Sequence, residues 1–410
     1  MKKLALLLAS LALTLLAGGC GSQGSSADYP ADFKVVAGDA SAIVTWTAEP
    51  DVDYWIFYGK GDSVTTSNWA STGGAVITKA TSPRVITGLA NGTTYSFTIN
   101  GRKDGGPGGS GAPTQVVVPQ LAGANWALGA PLGTGVLRGI AAGFGASGSA
   151  VIAVGANGAI FTSIGGAATT APANPAAPAD LNAVWYGGSG FVAAGANGTI
   201  LHSLDGTTWE AQASTTTANL NGVASLPIGG YVAVGNGGAI VASTGGTSWV
   251  PATPLTGNHL NAAVFGNNSY VAVGANGTIL MNTEGTWTQV ASPTTADLRG
   301  VSYAALSTTT DGTTTTTHVY VAIGAAGTVL VSNDATNWTA QTPISARDLT
   351  SIVYGGQFVA VGKAGVIFTS PDGVAWTARA SGTTADFNAI ARTQTGYTAV
   401  GDAGTNVSSF

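Results

Sequence analysis

The hydrophobic and polar positions of residues 126–410 repeat with a period of about 40 residues. One copy begins at Leu181-Asn-Ala-Val, continues through the apolar run Phe191-Val-Ala-Ala-Gly195 and ends at Trp209. The other copies begin at Leu137, Leu220, Leu260, Leu298, Leu349 and Phe387. Each copy contains four short β-rich segments, and the second is apolar on both faces, as in a strand covered by neighbouring sheets. The pattern therefore predicts an all-β chain with a seven-bladed β-propeller over residues 119–410.

The ends of the repeat array predict how the ring closes. The last copy stops before its tryptophan segment, whereas a spare segment around Trp126 precedes the first copy. A strand near Trp126 that completes the last blade would remove free sheet edges. The first copy lacks its own tryptophan, so we expect residues 167–179 to supply its outer strand. Residues 307–317 are expected to form a Thr-rich exposed loop.

Two turn motifs recur within the copies. Glycine pairs such as Gly195 and Gly198 predict a tight turn with positive φ. The motif Ser203-x-Asp205-Gly206-x-x-Trp209 recurs around Asp372 and, in looser form, around Asp334. It resembles a shortened Asp-box, the turn of sialidase-like and photosystem II assembly-factor-like propellers. The resemblance implies a structural role, in which each aspartate accepts backbone N–H bonds in its own turn.

Residues 29–118 contain short β segments at 33–36, 42–46, 54–58, 84–86, 95–99 and 114–118, which predict a small β-sandwich. Trp46 and the turn Leu89-Ala-Asn-Gly-Thr-Thr-Tyr95 resemble the core tryptophan and the Leu-x-Pro-Gly-Thr-x-Tyr turn of fibronectin type III domains. The resemblance implies that the Tyr95 hydroxyl bonds to upstream backbone. It also favours a spacer role for this domain.

The N-terminus has the pattern of a secretory signal, because Lys2-Lys3 precede an apolar run that is short for a membrane span. The sequence Leu16-Ala-Gly-Gly-Cys20 resembles the lipobox of bacterial lipoproteins. The resemblance implies a signal peptide over 1–19, lipidation of Cys20 and a flexible tether over 20–28. Gly21 after the cysteine implies sorting to the outer membrane. Cys20 is the only cysteine, so no disulfide can form within one molecule.

Composition excludes several kinds of function. Charged residues make up 8% of the 410 residues and the net charge is −5, and the basic residues are scattered, which is not the pattern of a nucleic-acid-binding surface. The three histidines, His202, His259 and His318, do not stand at metal-ligand spacing. No arginine triad or nucleophilic triad is evident. We therefore expect no enzymatic activity, no cofactor, no metal and no nucleic-acid partner.

Polar residues recur at two positions of the copies, and we name them the channel-mouth ring. The residue before the first segment is Asp180, Asn219, His259, Asp297, Asp348 or Asp386. The second residue of the segment is Arg138, Asn182, Asn221, Asn261, Arg299, Thr350 or Asn388. Ring closure would place both sets at one mouth of the central channel, opposite the Asp-box turns. The ring could bind a cation, a peptide terminus or a sugar; alternatively, its members only cap turns and line the channel. The charged members Asp180, Asp297, Arg299, Asp348, Asp386 and Arg138 are the candidate ligand-binding residues.

These observations favour a non-enzymatic, lipid-anchored protein of the bacterial cell envelope, whose propeller docks envelope proteins or acts as an assembly scaffold. The resemblance to photosystem II assembly-factor-like propellers implies this role, because such propellers bind other proteins. A carbohydrate-binding or glycoside-hydrolysing lipoprotein is an alternative; it would need aromatic residues and carboxylates at the mouth, and Trp185 is the only tryptophan of the inner segments. A structural envelope spacer without a specific ligand is a second alternative.

Overall fold

The computed structural model describes residues 24–145, 148–165, 167–169, 179–226, 229–394 and 396–409. Secondary structure in these residues is β apart from short 3-10 turns. The predicted signal peptide over 1–19 and the predicted lipidation site Cys20 lie outside the described residues. The chain divides into two compact units between Leu121 and Ala122. In the described part of the chain, no helix has the length and apolar character needed to cross a membrane.

Unit one is built from two antiparallel sheets. Its strands are β1 (Ser26–Ala27), β2 (Lys34–Gly38), β3 (Ser41–Thr45), β4 (Asp53–Lys60), β5 (Ala75–Ala80), β6 (Arg84–Thr87), β7 (Tyr95–Arg102) and β8 (Gln115–Val117), with a 3-10 helix at Trp69–Thr72. One sheet has the order β1-β7-β4-β5, with β8 also paired to β7, and the other has the order β2-β3-β6. Trp46 is buried between them and its ring lies edge-on to Tyr54 at 5.7 Å. The Ala90 amide donates to the Tyr95 hydroxyl at 3.1 Å, which is the contact that the sequence motif predicts.

Strand β1 lies inside the segment that the sequence assigned to a flexible tether. Ser26 and Ala27 pair antiparallel with Arg102 and Gly101 of β7. A Gly- and Ser-rich composition is typical of a tether, but it does not prevent pairing, because a strand edge binds backbone groups rather than particular side chains. Unit one thus includes residues before the predicted boundary at 29.

Unit two contains, within its described residues, seven four-stranded antiparallel sheets. It begins with β9 (Trp126–Leu128). Sheet 1 is β10 (Leu137–Gly145), β11 (Gly148–Gly155), β12 (Ile160–Ile164) and β13 (Ala167–Thr169). Sheet 2 is β14 (Leu181–Gly187), β15 (Gly190–Gly195), β16 (Ile200–Ser203) and β17 (Glu210–Gln212). Sheet 3 is β18 (Leu220–Ser225), β19 (Tyr231–Gly235), β20 (Ile240–Ser243) and β21 (Val250–Pro251).

The remaining sheets follow the same plan. Sheet 4 is β22 (Leu260–Gly266), β23 (Ser269–Gly274), β24 (Ile279–Thr283) and β25 (Thr286–Val290). Sheet 5 is β26 (Leu298–Thr310), β27 (Thr313–Gly324), β28 (Val329–Ser332) and β29 (Thr339–Ala340). Sheet 6 is β30 (Leu349–Tyr354), β31 (Phe358–Gly362), β32 (Ile367–Ser370) and β33 (Thr377–Arg379). Sheet 7 combines β34 (Phe387–Arg392), β35 (Tyr397–Gly401) and β36 (Asn406–Ser409) with β9.

The first strands of the sheets contact one another in a closed cycle. β10 contacts β14, and the series continues through β18, β22, β26 and β30 to β34, which contacts β10. In sheet 7, β9 supplies the fourth strand, with Trp126 opposite Ser409 and Leu128 opposite Val407. The two ends of unit two are thereby held in one sheet.

Neighbouring sheets pack through apolar second strands and through aromatic residues seated on glycine. Phe191, Val192, Ala193 and Ala194 of β15 are fully buried, as a strand covered on both faces requires. The Tyr186 ring of sheet 2 occupies the space that a Cβ at Gly143 of sheet 1 would fill. Tyr303 of sheet 5 covers Gly266 of sheet 4 in the same way. Close packing of this kind leaves no room for an added methyl group.

The glycine pairs after each second strand have two different causes. In each pair the first glycine precedes a 3-10 turn and the second ends it, as Gly195 and Gly198 do for the turn Ala196–Gly198 in sheet 2. The second glycine, Gly198, has a φ of 70°, as the sequence predicts. Asn197 inside the turn also has a positive φ of 53°, whereas the first glycine, Gly195, is extended with a φ of −166°. Gly195 is needed instead because a Cβ would overlap the carbonyl oxygen of Asp180 in the same sheet.

The Thr-rich stretch 307–317 is a hairpin and not the predicted loop. It extends β26 and β27 beyond the rest of sheet 5, and Thr310 pairs with Thr313 across the two-residue turn Asp311-Gly312. Both turn residues have positive φ, 51° and 77°, which suits the right-handed twist of a hairpin. Threonine has high β propensity and stabilises cross-strand pairs, so the stretch continues the ladder.

Candidate docking site at the channel mouth

Strand direction decides which loops of unit two share a face. Because consecutive strands in each sheet are antiparallel, the loops between sheets and the 3-10 turns lie on one face. The Asp-box turns and the hairpins between first and second strands lie on the other face. We call the first the mouth face; it carries all members of the channel-mouth ring.

The residue before each first strand caps a turn of the preceding sheet. Asp180 Oδ1 accepts the Asn157 amide of sheet 1 at 2.8 Å, and Asp348 Oδ1 accepts the Ala326 amide of sheet 5 at 2.9 Å. Asn219, His259, Asp297 and Asp386 make the equivalent bond to residues 197, 237, 276 and 364. The capping role foreseen in the sequence is therefore present, but it acts between sheets, where it ties one sheet to the next.

These caps also lower the pKa of two of the aspartates. The Asn157 amide and then the Arg138 guanidinium hold the pKa of Asp180 below its usual range. The Ala364 amide, with a smaller effect of Lys363, does the same for Asp386. Hydrogen bonds to a carboxylate favour its charged form. Both groups are therefore anions at neutral pH.

The second residue of most first strands bridges to the next sheet. Asn182, Asn221 and Asn261 donate through their side-chain amides to the carbonyl oxygens of Leu220, Leu260 and Leu298, at 3.0, 2.9 and 2.8 Å respectively. The Thr350 hydroxyl donates to the Phe387 carbonyl oxygen, and the Asn388 side-chain amide donates to that of Leu137. This girdle of short polar side chains satisfies backbone carbonyls that face the channel.

Arg138 and Arg299 occupy this girdle position but form ion pairs across sheets. Arg138 pairs with Asp180 at 2.5 Å, and Arg299 pairs with Asp348 at 3.0 Å. A third pair, Lys363 with Asp386 at 3.1 Å, joins sheets 6 and 7. All six side chains are about one-third exposed, so each pair borders solvent. Sequence reasoning missed Lys363 because it lies in a 3-10 turn, at a position that is neutral in most other sheets.

Charge is distributed unevenly around the mouth. Sheets 1, 2, 5, 6 and 7 contribute the members of the ion pairs, whereas the mouth positions of sheets 3 and 4 are amides or the His259 imidazole. Asp297 differs from its paired counterparts: it is exposed, it accepts the Asn276 amide at 2.9 Å, and no cation pairs with it among the residues that the structure describes. The mouth therefore presents both signs of charge next to a neutral, amide-rich sector.

Below the ring the channel becomes apolar. Its next layers are small residues such as Gly139 and Ala183, followed by a belt of aliphatic side chains: Ile140, Val184, Val223, Ala263, Val301, Ile352 and Ile390. The belt residues are 4–8% exposed, so their side chains leave little open space. Trp185 lies deeper and donates to the Ser225 hydroxyl at 3.0 Å. The mouth is thus a polar bowl with an apolar floor.

The Asp-box aspartates are occupied by their own turns. Asp205 Oδ1 accepts the amides of Thr207 and Thr208, both at 2.7 Å, and the Ser203 hydroxyl at 3.0 Å. Burial alone would raise the pKa of Asp205, but these hydrogen bonds outweigh it and hold the pKa well below the usual range. Asp334 and Asp372 make the same set of backbone bonds.

Potential metal ligands are dispersed in the described part of the chain. In residues 24–409, leaving aside the short stretches that the structure does not describe, no three His, Cys, Asp or Glu side chains are grouped as a metal ion would require. His202 is buried and its Nε2 lies 3.0 Å from the Ser189 carbonyl oxygen. His318 Nδ1 bonds to the Tyr303 hydroxyl at 2.6 Å.

No protein-family model and no curated protein matches the chain. Solved structures do: YCF48 from Cyanidioschyzon merolae is 16% identical, with a TM-score of 0.53 over 69% of this chain and 98% of that chain. YCF48 bound to D1 peptide is 17% identical, with a TM-score of 0.54 over 69% of this chain and 94% of that chain. RRP9 WD40 repeats are 10% identical, with a TM-score of 0.54 over 70% of this chain and 98% of that chain. At these identities the similarity shows the fold alone: the chain contains a β-propeller.

Proposed function

We propose that this chain is a non-enzymatic, lipid-anchored protein of the bacterial cell envelope, whose seven-bladed propeller docks other proteins at the channel mouth. In this proposal Cys20 carries the lipid, the outer membrane is the site of attachment, and unit one is a fibronectin type III-like spacer. The proposal needs no cofactor.

The placement of charge is the observation that carries the docking role. Residues 122–410 contain seventeen charged residues. Nine of them belong to the mouth face: Arg138, Asp180, Asp297, Arg299, Arg347, Asp348, Lys363, Asp386 and Asp402. In a chain so poor in charge, structural capping alone does not explain this concentration, because Asn219 provides the same cap without a charge. Charge that is kept at a solvent border steers and orients a partner.

A polypeptide is the partner that suits this surface best. The mouth combines ion pairs, side-chain amides and a recessed apolar floor, which together match the mixed polar and apolar character of a protein segment. A solved propeller of similar fold is described as bound to a peptide. That likeness supports a protein partner in general and does not identify one.

The topology of unit one supports a spacer. The described chain starts beside Arg102, at one end of β7, and β8 leaves beside Tyr95, at the other end. Eight residues of β7 span about 24 Å at about 3.4 Å per residue. Because the chain enters and leaves unit one at opposite ends, the segments before and after this domain are separated by its length.

The test is a variant in which amides replace charge at the mouth. Asp180→Asn, Asp297→Asn, Asp348→Asn and Asp386→Asn keep an acceptor oxygen for each cap, as Asn219 does naturally. Arg138→Asn and Arg299→Asn copy Asn182, Asn221 and Asn261. The matched control neutralises charges elsewhere, with Glu210→Gln, Glu284→Gln and Asp311→Asn. Each protein is crosslinked in living cells and the captured proteins are identified.

Docking at the mouth predicts one partner captured by the parent and the control, and lost from the mouth variant although that variant remains folded. Equal capture by all three proteins, or by none, would contradict the proposal. The carbohydrate alternative has little to build on at this face, because the described members of the ring include no aromatic side chain except His259.

A further inference from the structure

Residues 24–28 are held between a strand and a glycine-rich loop. Ser26 and Ala27 pair with the end of β7, and the Lys103 amide donates to the Ser25 carbonyl oxygen at 2.8 Å. Residues 103–111 cross over this segment as the loop Lys-Asp-Gly-Gly-Pro-Gly-Gly-Ser-Gly. The Gly109 amide donates to the Gly101 carbonyl oxygen at 3.0 Å, which ties the loop back to β7.

Glycines make this close approach possible. A Cβ at Gly24 would overlap the carbonyl oxygens of residues 103 and 104, and a Cβ at Gly106 would overlap the backbone of Gly24. A Cβ at Gly109 would overlap the Ala27 carbonyl oxygen. Backbone thus packs directly on backbone on the loop side of the segment. We call this arrangement the N-terminal clamp.

The clamp leaves a very short connection to the predicted lipidation site. Between Cys20 and Gly24 the chain spans at most about 14 Å, from four residue steps of at most about 3.6 Å. The clamp begins at one end of the sandwich, because Ser26 and Asp53 both pair with Arg102. The turn that carries Glu49 leads into Asp53 and therefore belongs to the same end. Asp62 follows Lys60, at the far end of β4. The eight residues of β4 separate the two ends by about 24 Å.

We propose that the clamp holds the Glu49 end of unit one against the lipid bilayer and points the Asp62 end away from it. This inference rests on the proposed lipid anchor. With the clamp, unit one keeps a fixed distance from the bilayer, whereas a flexible tether would leave that distance variable. The Glu49 end has a net negative charge, from Glu49, Asp51, Asp53 and Asp104 against Lys79 and Lys103. It would therefore not be attracted by anionic lipids, and the proposed covalent lipid holds it at the bilayer instead.

Distance from the membrane is the measurement that tests the clamp. Because Cys20 is the only cysteine and is acylated in the proposal, Glu49→Cys or Asp62→Cys introduces the only free thiol for a fluorophore. The full-length lipidated protein is reconstituted in phosphatidylcholine vesicles that carry a headgroup-linked quencher. We expect at least threefold stronger quenching at position 49 than at position 62.

Two further variants distinguish positioning by the clamp from attachment through the lipid alone. Insertion of ten Gly and Ser residues after Ser22 lengthens the connection without touching the fold, and quenching at position 49 should fall to the value at position 62. Gly106→Val opens the clamp and should have the same effect, whereas Gly257→Val, where a Cβ meets no atom within 4 Å, should change nothing.

The outcomes distinguish this inference from the proposed function. Failure of the protein to bind vesicles would overturn the lipid anchor itself. Stable binding with equal quenching at positions 49 and 62, or with no response to the inserted linker, would overturn the clamp while leaving the anchor intact.

Discussion

Asp348 tests how the sheets of unit two are tied together. Its Oδ1 accepts the Ala326 amide of sheet 5 at 2.9 Å, and its Oδ2 pairs with Arg299 at 3.0 Å. Asp348→Ala removes both interactions. Asp348→Asn removes the charge but keeps an oxygen for the cap, as Asn219 does for the Asn197 amide at 2.9 Å.

The two substitutions should differ in magnitude. Loss of a capping side chain costs about 0.5–2 kcal/mol, and loss of an ion pair between groups that are about one-third exposed costs about 0.2–1 kcal/mol. We therefore expect Asp348→Ala to destabilise the turn by about 1–2 kcal/mol and Asp348→Asn by less than about 1 kcal/mol.

Hydrogen exchange at the Ala326 amide is the assay, because it reports the capped turn directly in the full-length protein. A loss of about 1–2 kcal/mol corresponds to exchange that is about 5–30-fold faster in Asp348→Ala. Asp348→Asn should stay within about fivefold of the parent. If the two variants accelerate exchange equally, the charge rather than the cap holds the sheets together, and the reasoning is refuted.

Three further predictions concern turns and packing. Gly245→Asp restores an Asp-box carboxylate in sheet 3, where a Cβ meets no atom within 4 Å, and should raise the free energy of unfolding by about 0.5–1 kcal/mol in urea titrations. For Asp205, burial raises the pKa but hydrogen bonds lower it further, so the folded-state pKa is depressed. Its stabilisation is therefore present above the unfolded pKa of about 3.9 and is lost as pH falls through the folded value. Asp205→Asn should cost about 1 kcal/mol at pH 7, and its difference from the parent should narrow below about pH 4; a difference independent of pH would contradict this. Gly266→Ala should cost about 1–3 kcal/mol, because its Cβ would overlap the Tyr303 ring, whereas Gly257→Ala should stay within about 0.5 kcal/mol in thermal unfolding.

Periodicity carried most of the fold prediction. A strand such as Phe191–Ala194 is apolar on both faces because sheets cover it on both sides. The recurrence of that pattern along the chain is enough to predict a propeller from the sequence alone. The Asp-box motif likewise predicted backbone bonds to Asp205, because all the groups involved lie within five residues. Local sequence was sufficient wherever the interaction was local.

The errors have physical reasons. The stretch 307–317 carries two opposing signals, because Asp311-Gly312 between β-prone threonines favours a type I′ turn, whereas low complexity favours a loop. The composition of residues 20–28 predicts a tether and gives no sign of β1, because pairing at a sheet edge needs only backbone groups. The caps of the channel-mouth ring act on the preceding sheet, and Lys363 reaches Asp386 of the next one. The Asn157–Asp180 contact, for example, joins residues 23 positions apart in different sheets and cannot be assigned from one copy of the repeat.

Where a partner touches the propeller is the most direct test of the central claim. A photocrosslinking amino acid is placed at Ala346, exposed on the mouth face, or at Thr247, exposed in a turn of the opposite face. Docking at the mouth predicts a discrete crosslinked protein in living cells from position 346, absent from position 247 and absent from position 346 in the amide-for-charge variant. A discrete product from position 247 with none from position 346 would place the partner on the other face and contradict the account.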